Sequence, residues 1–260
     1  MKSFTKETMF ALDGKVTVVT GGARGIGKAV AQQLAMMGAD IAIVDMLDAE
    51  GKETAASIAK TYGVKTGAYV CDVTKPAQVK SVINQVASDF GGLDVLFNNA
   101  GIVLHKPAIE LEPDEWTRVF DVNTHGVFFV AQAFAQKLVE LGRGGSIINN
   151  ASMSATIVNY PQEQASYNAS KAAVVHMTKS LAVEWTKHDI RVNSISPGYI
   201  ATDLTVHVRK DWIDAWVEMT PQKRLGKPEE LAGAVIYLAS DCSTYTSGCD
   251  MIIDGIFTCV

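Results

Sequence analysis

Tyr167 and Lys171 stand four residues apart in the segment Gln164 to Lys187, whose pattern predicts a helix, so the two side chains share one helix face. A phenol titrates at about 10 in water and is a poor acid or base at neutral pH unless a cation lies beside it. Lys171 is placed to be that cation. Ser152 and Ser154 come just after the run Ser146 to Asn150, where a strand would deliver a hydroxyl to the edge of a cleft. Hydroxyl, phenol and ammonium together suit proton transfer to or from a substrate alcohol or carbonyl. Alone, the Tyr–Lys pair is equally what a packed ring beside a solvated amine looks like, so its meaning depends on the elements around it.

Those elements alternate along the chain. Lys15 to Thr20 is a short β-branched run, Gly21 to Gly27 a glycine-rich turn, and the following KAVAQQLAMMG has helical periodicity. Gly21, Gly25 and Gly27 allow a tight turn and leave N–H groups at a helix N-terminus free to meet a pyrophosphate. The next strand, Asp40 to Val44, runs into Asp45, eighteen residues beyond Gly27. A carboxylate there suits a ribose hydroxyl and repels a 2′-phosphate, which favours NAD over NADP; a helix cap or surface turn is the plainer reading. Arg24, in the glycine turn, could reach a phosphate and weighs the other way. Further strands are expected at Thr66 to Val70, Asp94 to Phe97, Ser146 to Asn150, Arg191 to Ser196 and Met251 to Asp254. Helices are expected between them, one running from about Pro113 to Leu141. The pattern predicts a single α/β domain over residues 1–260: a Rossmann-type, doubly wound parallel sheet with helices on both faces and ligands beyond the carboxyl ends of its strands.

Composition narrows the function classes. The 260 residues are 48% hydrophobic and 20% charged, with a formal net charge of −5 and no dense Lys/Arg cluster, so nucleic acid is not an expected partner. Cys71, Cys242, Cys249 and Cys259 lack zinc-ligand spacing, and no metal is expected; free thiols in a reducing compartment are. No apolar run reaches the length of a membrane span, and the N-terminus carries no apolar signal segment. A soluble, cytoplasmic protein is the resulting expectation.

Four motifs lie in order: TGGARGIG at Thr20 to Gly27, NNAG at Asn98 to Gly101, YNASK at Tyr167 to Lys171, and PG at Pro197-Gly198. On these the chain resembles the short-chain dehydrogenase/reductases from about Leu12 to Asp254, and within them the polyol dehydrogenase and ketose reductase subgroup. The resemblance implies Tyr167 as general acid/base, Lys171 as the group that lowers its pKa and binds the nicotinamide ribose, and Ser152 as the polarising hydroxyl. Ser154 is the alternative serine. Asn123, in FDVNTHG, would hold a water chain leading from the lysine. The cofactor would meet Gly21, Arg24, Gly25, Ile26 and Gly27, then Asp45, with Asp72 and Val73 at the adenine. Asn99, Ala100 and Gly101 would run past the adenosine ribose, and Pro197, Gly198, Ile200 and Thr202 would approach the carboxamide.

The same resemblance implies an NAD-dependent dehydrogenase of a sugar alcohol and its ketose, assembled as a homotetramer. Asn159, Gln162, Glu163 and Gln164 could read substrate hydroxyls or simply be solvated. Residues 201–224, with Val206, Val208, Trp212, Ile213 and Trp216 among charges, read as an amphipathic lid or a packed helix, and His207 as a surface residue. Ile256 stands where a glycine is usual. A 3-oxoacyl thioester reductase shares the catalytic residues and is the alternative enzyme; a dinucleotide-binding sensor is the alternative without catalysis.

Overall fold

Five residues rich in β-branching, Val16–Thr20 (β1), are all buried, as a strand covered on both faces requires. The glycine turn after β1 leads into the helix Gly25–Met36 (α1), and the alternation continues through Asp40–Asp45 (β2), Asp48–Tyr62 (α2), Thr66–Val70 (β3), Pro76–Phe90 (α3) and Val95–Asn98 (β4). Pro113–Phe120 (α4), Val127–Glu140 (α5), Gly145–Asn150 (β5), Ala165–Trp185 (α6) and Ile190–Pro197 (β6) follow. Asp203–Val206 (α7), Lys210–Met219 (α8), Ala232–Ala239 (α9) and Asp250–Ile253 (β7) complete the chain. The computed structural model describes residues 5, 8–206 and 208–260, apart from the side chains of Leu204 and Val206; His207 lies outside the described residues.

Helix ends follow local chemistry. Asp48 and Glu50 occupy the first turn of α2, Lys60 its last, and Gly63 closes it in the left-handed region at φ 71°. Pro76 opens α3, where its missing N–H costs nothing.

Among the described residues the seven strands form one parallel sheet in the order β3-β2-β1-β4-β5-β6-β7. The order reverses between β1 and β4, which opens a crevice at their carboxyl ends. Alternate residues feed two cores. Val18, Ala42, Leu96 and Ile147 pack with α3, α5 and α6, whereas Val19, Ile43, Phe97 and Ile148 pack with α1, α2 and α9.

One expected helix is interrupted. The stretch expected to be continuous from Pro113 to Leu141 contains a π turn at Asp121–Gly126 between α4 and α5. Such a turn inserts a residue and often marks a functional position. Here it sets Asn123 inward, fully buried.

Candidate active site

The carboxyl end of β5 supplies the centre of the site. Beyond Asn150 the chain turns through Ser152, which caps a short 3₁₀ turn at Met153–Ala155 by accepting from Ser154 N. Ser152 Oγ donates to Ser154 Oγ at 3.0 Å, so both serines are fixed and buried. Across from them α6 presents Tyr167 and, one turn on, Lys171. Burial pushes the Tyr167 phenol above its ordinary value, and a hydrogen bond with the Ser152 hydroxyl draws it back.

Lys171 is 3% exposed, and its Nζ donates to the main-chain oxygen of Asn150 at 2.7 Å. The same Nζ lies 5.7 Å from the centre of the Tyr167 ring. Burial pushes the amine down to about 8. Desolvation is the largest influence on the Tyr167 phenol in this structure.

The Asn123 side chain is engaged within the protein. Its Oδ1 accepts from Ile102 N at 2.8 Å, and its Nδ2 donates to Ile102 O at 2.9 Å and Ser170 Oγ at 3.1 Å. Both amide hydrogens are occupied, so the side chain ties the segment after β4 to α6. A Cβ on Gly101 would lie 3.6 Å from Lys171 Nζ and 3.3 Å from Asn123 Oδ1, which places that glycine beside the lysine.

The glycine turn sits on the other side of the crevice. Gly21 and Gly25 adopt φ 61° and 56°, and a Cβ on Gly27 would come 2.1 Å from Gly21 O. Only glycines close this turn. The N-terminus of α1 receives no side-chain cap and has no acidic residue in its first turn, so its orphan N–H groups and positive dipole end suit a phosphate. Arg24 is exposed at the N-cap position and Ile26 is partly buried. Asn99 Nδ2 donates to Thr20 O and Gly21 O, both at 3.1 Å, while Thr20 Oγ1 accepts from the N–H groups of Asn99 and Ala100. Asp45 binds the turn as well, its Oδ2 accepting from Ala23 N at 3.0 Å and its Oδ1 from Leu47 N at 3.1 Å.

Asp72 is held by Thr74, whose N–H and hydroxyl both donate to its Oδ1 and keep the carboxyl below its usual range. Val73 packs its side chain on the π turn, where a Cβ on Gly126 would meet Val73 Cγ2 at 2.7 Å. At the far end Pro197 closes β6, Gly198 lies too close to Asp254 for a side chain, and Ile200 is buried. A Cβ on Gly25 would be 3.9 Å from Thr202, so this segment reaches the glycine turn. An uncapped helix start, a turn closed by glycine and a carboxylate at the end of β2 together fit a dinucleotide.

The polar loop behaves unlike a sugar-reading surface. Asn159, Gln162 and Gln164 are all buried and paired inside the protein. Asn159 and Gln162 each donate to Tyr199 Oη at 3.1 Å, Gln164 Nε2 donates to Asn159 Oδ1 and Asn168 Oδ1, and Gln162 Oε1 accepts from Trp216 Nε1 at 2.8 Å. Buried amides must be satisfied, and these satisfy one another. Trp216, on α8, stacks on Tyr199 with centroids 4.4 Å apart, and Trp212 meets His105 edge-on at 5.1 Å. Burial pushes His105 down, against a hydrogen bond with Gln164 that raises it. Sequence reasoning missed Tyr199, His105 and Asn150; the only signal for Asn150 was the pair of asparagines that ends β5.

Comparison with known proteins gives consistent neighbours. A family model described as enoyl-(acyl carrier protein) reductase matches residues 21–258. A sorbose reductase of Candida albicans is 45% identical over 96% of this chain and 89% of its own length. A probable NADP-dependent mannitol dehydrogenase of Yarrowia lipolytica is also 45% identical, over 96% and 90%. A crystal structure of a short-chain type dehydrogenase/reductase from Mycobacterium marinum superposes with a TM-score of 0.94 at 44% identity, covering 97% of this chain and 98% of that one.

Proposed function

Because the chain belongs to the short-chain dehydrogenase/reductase family, whose members are oxidoreductases using a nicotinamide cofactor, we propose that it interconverts a secondary alcohol of a polyol and the corresponding ketose, with NAD preferred. The observation that carries the chemistry is the buried Lys171 amine 5.7 Å from the centre of the Tyr167 ring, with the buried Ser152 hydroxyl beyond the end of β5. Ser152 turns its one hydroxyl hydrogen from Ser154 Oγ to the substrate oxygen and orients it. Tyr167 gives a proton to that oxygen in ketone reduction and removes one in alcohol oxidation. Lys171, anchored on Asn150 O, supplies positive charge to the phenolate whenever it is protonated. The nicotinamide ring, when bound, supplies the hydride chemistry, and the protein contributes orientation and exclusion of water. Asn123 positions Gly101 and Ile102 rather than moving protons through its side chain.

Asp45 supports NAD. Its carboxylate already lies on the glycine turn through Ala23 N, where a 2′-phosphate would meet a like charge. The polyol substrate draws its support from the relatives, since the loop amides are occupied. Helix α8, closed over Tyr199 and Gln162, is read as a lid. Assembly as a homotetramer in the cytoplasm completes the proposal.

Turnover of a panel of sugar alcohols and ketoses, each with NAD and NADP, tests it. Oxidation of at least one polyol, with higher kcat/KM for NAD, is expected. Inactivity on every polyol and ketose removes the substrate, and a preference for NADP removes the role of Asp45. Acetoacetyl thioesters test the alternative reading; activity confined to them would make the chain a 3-oxoacyl thioester reductase.

A further inference from the structure

Asn150 ends β5 with its side chain on the α1 face of the sheet. Its neighbour Asn149 turns to the opposite face, where it donates to Thr178 of α6 at 2.9 Å, and Ile148 packs in the core shared with α1. Three polar groups of Asn150 have separate fates. The main-chain oxygen accepts from Lys171 Nζ. Nδ2 donates to Asn99 Oδ1 at 2.8 Å, and Asn99 in turn holds the glycine turn through Thr20 O and Gly21 O, which fixes which end of the Asn150 amide is the oxygen. That oxygen, Oδ1, is buried with no hydrogen-bond partner.

A buried carbonyl left unpaired is costly and needs an occupant for its lone pairs. Position says which one. A dinucleotide straddling the reversal between β1 and β4 has its adenosine toward Asp45 on β2 and its other nucleoside over β4 and β5, where Lys171 stands. We propose that Asn150 Oδ1 is an acceptor for the cofactor, taking a hydrogen bond from a donor on the nicotinamide-nucleoside half, either a ribose hydroxyl or the carboxamide amine. Asn150 thereby links three parts of the site: its main chain anchors the lysine, its Nδ2 secures the glycine turn, and its Oδ1 reads the ligand.

The inference rests on the cofactor reading above, and binding to the wild-type protein tests that reading separately. Titration calorimetry of the wild type and Asn150→Leu with ADP, ADP-ribose and NAD, without substrate, measures the inference. Should the wild type bind only the 2′-phosphorylated forms, NAD preference falls while the comparison proceeds with those forms. The expected result is a dissociation constant raised about five- to tenfold for NAD, with ADP within about twofold of wild type. ADP-ribose weakened alongside NAD identifies a ribose hydroxyl; ADP-ribose unchanged identifies the carboxamide. Equal weakening of ADP, which reports damage to the glycine turn through Asn99, or no change in any ligand, overturns the proposal. Asn150→Asp guards against a misfolded leucine variant, because it keeps an acceptor. Its ratio of NAD to ADP affinity should stay within about twofold of wild type, and collapse of that ratio also overturns the proposal.

Discussion

Burial holds the Lys171 amine at about 8 against an ordinary 10.5, so between those values the unfolded chain keeps a proton that the folded chain has released. Where the unfolded state binds more protons, stability rises with pH. The lysine therefore costs stability when charged, below about 8, and that cost is relieved through pH 8 to 10.5. Replacing it by methionine removes the titration. Relative to Lys171→Met, the wild type should gain roughly 3 kcal/mol of unfolding free energy across this window, read from denaturant curves of both proteins at several pH values. A constant difference would show that the amine is not perturbed. The same variant should lose about 10²- to 10⁴-fold in kcat, the usual contribution of a positioned acid–base system. Ile256 carries a different cost at the same scale. It adopts φ 74°, a left-handed backbone that suits glycine and strains a β-branched residue, while its N–H donates to Asp254 Oδ1 at 2.9 Å. Its side chain is 49% exposed, so little packing is lost on removal. Ile256→Gly should stabilise the fold by about 1 kcal/mol, seen as a higher denaturant midpoint; a lower midpoint would mean that the isoleucine side chain packs more than its exposure suggests.

At the scale of elements, the loop before α6 and the helix α8 form one unit. Trp216 Nε1 depends on Gln162, while Tyr199 Oη accepts from Asn159 as well, so Gln162→Leu leaves one buried N–H without a partner and should destabilise the fold by about 1–3 kcal/mol. Neighbouring Glu163 is exposed, and Glu163→Gln should stay within about 0.5 kcal/mol of wild type. Tryptophan fluorescence during urea unfolding measures both; equal effects would deny the network its structural role. This unit also marks the boundary of what sequence could reveal. The amides of the loop were recognisable as a polar cluster, but solvated, sugar-reading and mutually bonded amides have the same residue types. Their partners Tyr199 and Trp216 lie 37 and 54 positions away from Gln162, and no local period connects them. The motif residues were legible because each is dictated by its own backbone: Gly27 has no room for a side chain, Asp45 ends a strand, and Tyr167 and Lys171 share a helix face. Asn123 was placed by resemblance alone, since the π turn that sets it inward leaves no periodic trace.

For the whole molecule, the alternation of strands and helices predicted the parallel sheet and put the chemistry at its carboxyl ends, as the seven strands do. Alternation does not reveal what covers the ends of that sheet. Strand β7 forms one edge, and Ile252 on it is 42% exposed, close in sequence to the fully exposed Tyr245 and to Val260 at the C-terminus. An edge strand with apolar side chains in water invites pairing unless something covers it. Val139 and Leu141 at the end of α5, and Val183 on α6, add further exposed apolar side chains. In the proposed homotetramer, two-fold contacts would place β7 against its copy and α5–α6 against theirs, which together multiply to four subunits. Sedimentation at micromolar concentration should therefore give the mass of four chains. Ile252→Lys should shift the mass downward by setting like charges across the β7 contact, while leaving the far-ultraviolet circular dichroism of the sheet and helices in place. A wild-type protein that sediments as a monomer, or an Ile252→Lys protein that remains a tetramer, would locate the assembly elsewhere or remove it, and would leave the exposed edge of β7 without a cover.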